Sequence, residues 1–92
     1  MYVLRCNDGS YYVGSTWDLE VRLEQHAAGT VPSYTSSRLP VELAYAEEYD
    51  RIEHAYAREK QVQGWSRRKR EALIAGRFDD LPGLSGRASG GN

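Results

Sequence analysis

The sequence predicts an α+β domain in the order β-β-α-β-α-α, on three observations. Residues 2–14 hold two short aromatic and β-branched runs either side of Asn7-Asp8-Gly9, which is turn chemistry. Residues 18–29 and 50–64 carry apolar side chains at helical spacing, opened by Asp18 and Asp50 and stopped by Gly29 and Gly64. Between them Val41, Leu43 and Tyr45 alternate with Glu42 and Ala44, which is strand period. A third helix, from Ser66 to about Gly76, closes the order.

Size and composition bound the rest. A chain of 92 residues buries roughly 60–65% of its unfolded surface, enough for one core. With 40% hydrophobic and 27% charged residues, the composition is that of a soluble globular protein. No apolar run approaches the ~20 residues that span a bilayer, and the N-terminus lacks a signal pattern. Cys6 is alone, which excludes an internal disulfide and fits a buried strand residue in a reducing cytoplasm. There is no zinc pattern, P-loop or Rossmann fingerprint. Residues 1–78 are expected to form the folded domain, and the Gly- and Ser-rich 79–92 a disordered C-terminal tail.

The net charge of −1 conceals an asymmetry. Residues 1–57 hold four basic and nine acidic side chains, whereas residues 58–70 hold six basic and one acidic. A pI near 6.1 argues against indiscriminate nucleic-acid binding. A compact basic block still suffices to contact a few phosphates.

Taken in order, the hairpin decides which side chains share a face. A two-residue Asp8-Gly9 turn sets Arg5 opposite Tyr12 and separates Tyr2 from Tyr12. A three-residue loop closed by Gly9 in the left-handed region sets Leu4 opposite Tyr12 and Tyr2 opposite Gly14. Both tyrosines then point the same way. The three-residue loop is expected, because two residues that favour type I geometry precede Gly9. Gly14 is read as a place where backbone or substrate comes too close for a Cβ.

Asp18 caps a helix running to about Ala28, whose inward stripe is read as Leu19, Leu23 and Ala27. Arg22 and His26, four apart, flank that stripe together. Residues 30–40 form a polar aromatic loop with Tyr34, Thr35 and Arg38 between Pro32 and Pro40. Val41 to Tyr49 holds the third strand. Asp50 and Glu53 make a capping-box-like start for the second helix. Its stripe is read as Ile52, Ala55, Tyr56, Glu59 and Val62. An isolated ionised carboxylate at Glu59 costs several kcal/mol, so it must find a cation, a metal or a proton. Arg22 is the structural partner and a metal ion the functional one. In the third helix Leu73, Ile74 and Trp65 face inward. Arg67, Arg68, Lys69 and Arg70 crowd its first turns, against the helix dipole.

Tyr2-Val3-Leu4, then Tyr12-Val13-Gly14, Arg22-Leu23-x-x-His26 and Arg58-Glu59-Lys60-Gln61 ahead of Gly64-Trp65 together resemble the GIY-YIG nuclease superfamily, most of all its small single-domain bacterial members. The likeness covers about residues 2–76. It implies a three-stranded antiparallel sheet flanked by helices, with the site on one face of the sheet. By position, Tyr2 and Tyr12 stand for the two motif tyrosines and Gly14 for the motif glycine. Arg22 matches the helix arginine, Glu59 the metal-binding glutamate, and His26 a histidine that assists the catalytic tyrosine in some members. Met1 stands where further strand residues normally precede. Ser15 stands where some repair nucleases carry a lysine, which leaves that help to His26.

The resemblance implies a Mg²⁺- or Mn²⁺-dependent DNA endonuclease, a cytoplasmic phosphodiester hydrolase acting on single-stranded or branched DNA in repair or recombination. Glu59 would hold one divalent ion and Arg22 the scissile phosphate. Tyr2 is assigned as base, with Tyr12 orienting water or phosphate, and the reverse assignment stays open. Arg58, Lys60, Arg67, Arg68, Lys69 and Arg70, with Tyr34 and Arg38 from the loop, are the expected DNA contacts. Tyr34 or Trp65 is the expected stacking residue. The modest positive charge leaves room for a protein partner that delivers the domain to DNA. The rival reading is a non-catalytic nucleic-acid-binding module on the same scaffold.

Overall fold

The structure is a computed structural model that describes residues 1–30 and 34–77. The tail expected at 79–92, and Pro32, lie outside the described residues. The elements are β1 (Tyr2–Arg5), β2 (Tyr11–Gly14), α1 (Leu19–Ala27), a 3-10 turn (Tyr34–Ser37), β3 (Glu42–Ala46), α2 (Ile52–Gln63) and α3 (Arg67–Ile74). This is the predicted order. The strands form one antiparallel sheet, β2-β1-β3. The chain divides into two compact units, Met1–Glu59 and the residues from Lys60 onward.

In the first unit the hairpin takes the three-residue register: Tyr2 pairs with Gly14 and Leu4 with Tyr12. Gly9 sits at φ 84°, and its N–H donates to the Cys6 carbonyl at 2.9 Å. Only glycine enters that region without steric cost. Cys6 is buried but lies just past β1, closing the turn. As the central strand, β1 is covered on both faces: Tyr2, Val3 and Leu4 are 1%, 0% and 0% exposed. Each such side chain contributes about 1.5–3 kcal/mol of burial.

The pairing of β1 with β3 slips between Val3 and Leu4, where Tyr45 and Leu43 are the partners and Ala44 is left over. That bulge breaks the alternation read from the sequence, and Leu43 is 43% exposed.

Asp18 caps α1, its carboxylate accepting from the Val21 N–H at 3.2 Å, and Gly29 at φ 73° ends it. The expected stripe is corrected at its last position, since Ala27 is exposed and His26 is fully buried. Leu19, Arg22, Leu23 and His26 are the covered positions, at spacings of 3, 4 and 7. In α2 a similar correction applies: Ala55 is buried, whereas Tyr56, one step further round the helix, is 53% exposed.

In the second unit Val62, Ala72 and Leu73 are buried, and Trp65 and Ile74 are half-buried. Ser66 caps α3, its hydroxyl accepting from the Lys69 N–H at 3.2 Å. The conflict between basic residues and the α3 dipole is resolved by Arg70. Its guanidinium donates to the carbonyls of Val62 at 3.2 Å and Gln63 at 2.6 Å, at the C-terminus of α2. A cation is favourable at a helix C-terminus. Arg67 pairs with Glu71 one turn on, at 3.0 Å.

Candidate active site

The hairpin register puts Tyr2 and Tyr12 on one face, and α1 brings His26 against both. Ring centroids are 6.3 Å apart for Tyr2 and Tyr12, 5.8 Å for Tyr2 and His26, and 5.3 Å for Tyr12 and His26. The Tyr2 hydroxyl lies 2.9 Å from His26 Nε2. Gly14 makes this possible. A Cβ there would stand 2.7 Å from both Cζ and Oη of Tyr2 and 3.1 Å from Tyr12 Cε2. The close neighbour anticipated at Gly14 is therefore the Tyr2 phenol, not substrate or backbone.

His26 is fully buried, and its other nitrogen, Nδ1, lies 2.7 Å from Thr35 Oγ1. Burial, then the charge of Arg22, lowers its pKa, so the imidazole is neutral near pH 7. A neutral ring has one donor and one acceptor nitrogen. The charge of Arg22 acts on the Tyr2 oxygen. Tyr2 is 1% exposed, so its own O–H finds its acceptor inside the protein, at His26 Nε2. That leaves Nδ1–H to donate to Thr35 Oγ1.

Tyr2 titrates well above an ordinary phenol. Burial is the largest cause, and the neighbouring Tyr12 phenol adds to it. The charge of Arg22 pulls the other way, Glu59 pushes it up again, and the Arg22 hydrogen bond pulls it down. Burial thus outweighs the charge of Arg22.

Glu59, on α2, is half-buried, and its Oε1 accepts a hydrogen bond from Ser15 Oγ at 2.6 Å. Ser15 directly follows Gly14, so the residue just past the strand that carries the motif glycine orients this carboxylate. Among the described residues no cluster of three or more His, Cys, Asp or Glu side chains forms a metal cage. A single oriented carboxylate fits a hard ion that keeps most of its waters, as Mg²⁺ and Mn²⁺ do, and does not fit a structural zinc site.

A family model described as the GIY-YIG catalytic domain matches residues 1–72. The chain belongs to the GIY-YIG family. It is 41% identical over 74 residues to a UPF0213 protein of Halobacterium salinarum, covering 80% of this chain and 96% of that one. A UPF0213 protein of Streptococcus pneumoniae is 41% identical over 75 residues, covering 82% and 76%. The solution NMR structure of a UPF0213 protein from Bacillus halodurans superposes with a TM-score of 0.53 at 37% identity, covering 91% of this chain and 93% of that one. The family is one of nucleases, and the α+β fold with its three-stranded antiparallel sheet is shared with that solved relative.

Within this GIY-YIG domain the expected DNA-contact residues differ in how they are engaged. Arg38 stacks over the Tyr34 ring at 3.7 Å, pairs with Asp8 at 3.0 Å and donates to the Tyr34 carbonyl at 2.8 Å. Together with the Asn7 N–H to Arg38 carbonyl bond at 2.9 Å, this ties residues 34–38 to the hairpin turn and holds Thr35 in place. Arg58 forks onto Glu47 at 3.0 and 3.3 Å, in a cluster where Tyr45 and Tyr49 also donate to that carboxylate. Burial alone would raise the Glu47 pKa, but these donors bring it below the ordinary value. Burial, then the bond to Glu47, pushes Tyr45 up to about 12. Lys69 lies over the Trp65 ring at 4.2 Å. Lys60, Arg67 and Arg68 are exposed.

Three site residues carried no signal in the sequence as read: Thr35, which positions His26; Ser15, which positions Glu59; and Glu47, which gathers Arg58 and two tyrosines. Their partners are 9, 44 and 2–11 residues away, and no local spacing marks such pairs. Among the described residues no helix is long and apolar enough to cross a membrane.

Proposed function

We propose that this GIY-YIG domain is a divalent-metal-dependent DNA endonuclease that cuts single-stranded or branched DNA, acting in the cytoplasm in repair or recombination. The observation that carries the reading is the buried relay Tyr2–His26–Thr35, a phenol hydrogen-bonded to a neutral imidazole at 2.9 Å with the far nitrogen held at 2.7 Å. A plain core has no use for three buried polar groups in series, whereas proton transfer from water does.

Arg22 is the group that meets the substrate. In the free protein its positive charge acts on the Tyr2 oxygen. A scissile phosphate offers a bidentate partner, so substrate draws the guanidinium onto the phosphoryl oxygens. The Tyr2 oxygen then has a lone pair open to the attacking water. As water gives its proton to Tyr2, Tyr2 passes its own to His26 Nε2, and no free phenolate is needed. This removes the obstacle set by the high Tyr2 pKa. Tyr12, more exposed and against His26, orients the water or phosphate. Glu59, held by Ser15, is the residue that would bind Mg²⁺ or Mn²⁺. When bound, the ion would supply charge stabilisation at the phosphate and the 3′ leaving oxygen.

Exposed cations at Lys60, Arg67, which also pairs with Glu71, and Arg68 supply non-specific phosphate contacts. Arg38, Arg58, Lys69 and Arg70 have protein partners too, and Arg70 is best read as a helix cap. Residues 1–78 are taken as the nuclease domain. Labelled single-stranded and branched DNA incubated with Mg²⁺ or Mn²⁺ tests the reading. Cleavage is expected for the wild type and lost in Glu59→Gln and Tyr2→Phe, with Tyr12→Phe less affected. Metal-dependent cutting unchanged in Glu59→Gln refutes it; salt-sensitive binding with no cutting by the wild type moves the protein to the binding-module reading.

A further inference from the structure

Beside the catalytic groups lies an open groove of about 670 Å³, lined by Trp17, Val21, Ile52, Tyr56, Ser15 and Arg22. Its volume falls within the ~300–1,000 Å³ of small-ligand sites. Trp17 is 78% exposed, Tyr56 53% and Val21 46%. Single exposed apolar residues are ordinary, but three lining one groove mark a binding surface.

Resting on the nuclease reading above, we propose that this groove takes an unpaired nucleobase adjoining the scissile phosphate, stacked on Trp17 with Tyr56 as the opposing wall. Two observations select that occupant. The groove is continuous with the catalytic groups: Ser15 in its lining hydrogen-bonds Glu59, and Arg22, also in its lining, acts by its charge on Tyr2. A strand whose phosphate sits on Arg22 therefore has its neighbouring base at the groove. The lining also includes Asp18 and Glu53. Carboxylates repel a phosphate but accept hydrogen bonds from the exocyclic amino groups of a base, so the neutral part of the nucleotide enters and the charged part stays at Arg22. A paired base is held in its own stack and cannot enter. The groove thereby supplies a physical reason for preferring single-stranded or distorted DNA over duplex.

Binding is measured in the Glu59→Gln background, so that it does not depend on cutting. The probe is a short single-stranded oligonucleotide, intact or with one abasic position moved along it. Trp17→Ala is expected to weaken binding about 5- to 150-fold, the range for loss of one base–aromatic stack. Tyr56→Ala should weaken it as well, and Trp17→Phe should keep most of the affinity. One abasic position should reproduce the loss in the Trp17 protein and add nothing in Trp17→Ala. Oligonucleotide should also quench the indole signal that differs between the two proteins, which separates Trp17 from Trp65. Thermal melts should be unchanged, because Trp17 is mostly solvent-exposed. Equal affinity of Trp17→Ala and its parent, a loss that is the same for every abasic strand, or a change in oligomeric state on Trp17→Ala overturns the proposal, the last making the groove a self-association surface. Cleavage by the Glu59 protein is scored separately: cutting with no Trp17 effect removes the base slot alone, and a Trp17 effect without cutting removes the nuclease reading alone.

Discussion

Gly14→Ala places a methyl group where the Tyr2 ring already lies. The new Cβ would be 2.7 Å from Tyr2 Cζ and Oη and 3.1 Å from Tyr12 Cε2, whereas comfortable carbon contacts are about 3.5–4.0 Å. The Tyr2 ring must retreat by roughly 1 Å, and it is buried. Overpacking of this kind costs about 1–3 kcal/mol. For a chain of this size that lowers the melting temperature by roughly 5–20 °C. The same retreat stretches the 2.9 Å Tyr2–His26 bond beyond useful length, and misplacement on that scale costs cleavage about 10²-fold. The control is the Tyr2→Ala background, where the collision has no partner and Gly14→Ala should cost under about 1 kcal/mol. Urea unfolding of the four proteins gives the coupling energy. Equal cost of Gly14→Ala in both backgrounds, or full activity of the single variant, would show that the glycine is not there to make room for the phenol.

Thr35→Val strands the buried His26 Nδ1–H, so stability should fall by about 1–3 kcal/mol and cleavage should drop, as urea midpoints and a gel assay would report; an unchanged midpoint removes Thr35 from the relay. Ser15→Ala removes a hydrogen bond that orients the Glu59 carboxylate and should weaken Mn²⁺ binding about 10- to 100-fold by calorimetry, with the melt unaltered. His26 has a lowered pKa in the folded state, so between that value and the unfolded value of about 6.5 the unfolded chain binds more protons. The stability contributed by the neutral ring is complete above about pH 6.5 and is lost as the pH falls below it. Melts across that window should slope in the wild type and flatten in His26→Gln; parallel slopes would assign the titration elsewhere. Arg70→Ala uncaps α2 and should lower helicity and stability by about 1 kcal/mol, with no change in the salt dependence of DNA binding; a flatter salt dependence would make Arg70 a phosphate contact after all.

The order of elements, the three-residue hairpin loop and the caps at Asp18 and Ser66 were legible in the sequence, because turns and caps are set by residues a few positions apart. The pairing of Tyr2 with Gly14 followed from loop length alone, and with it the shared face of the two tyrosines. Periodicity placed Arg22, His26 and Glu59 on the inner half of their helices, but it could not settle the last 100° of rotation. Ala27 and Tyr56 were assigned inward and lie outward, while His26 took the covered place because Tyr2 and Thr35 were waiting with hydrogen bonds. Only the tertiary structure decided those partners, the Ser15 bond to Glu59 and the diversion of Arg70 from a basic patch to a helix end. Local chemistry depends on spacing along the chain and can be read there. Hydrogen bonds between buried groups 9 to 44 residues apart exist only once packing has closed the distance, and no shorter-range rule encodes them.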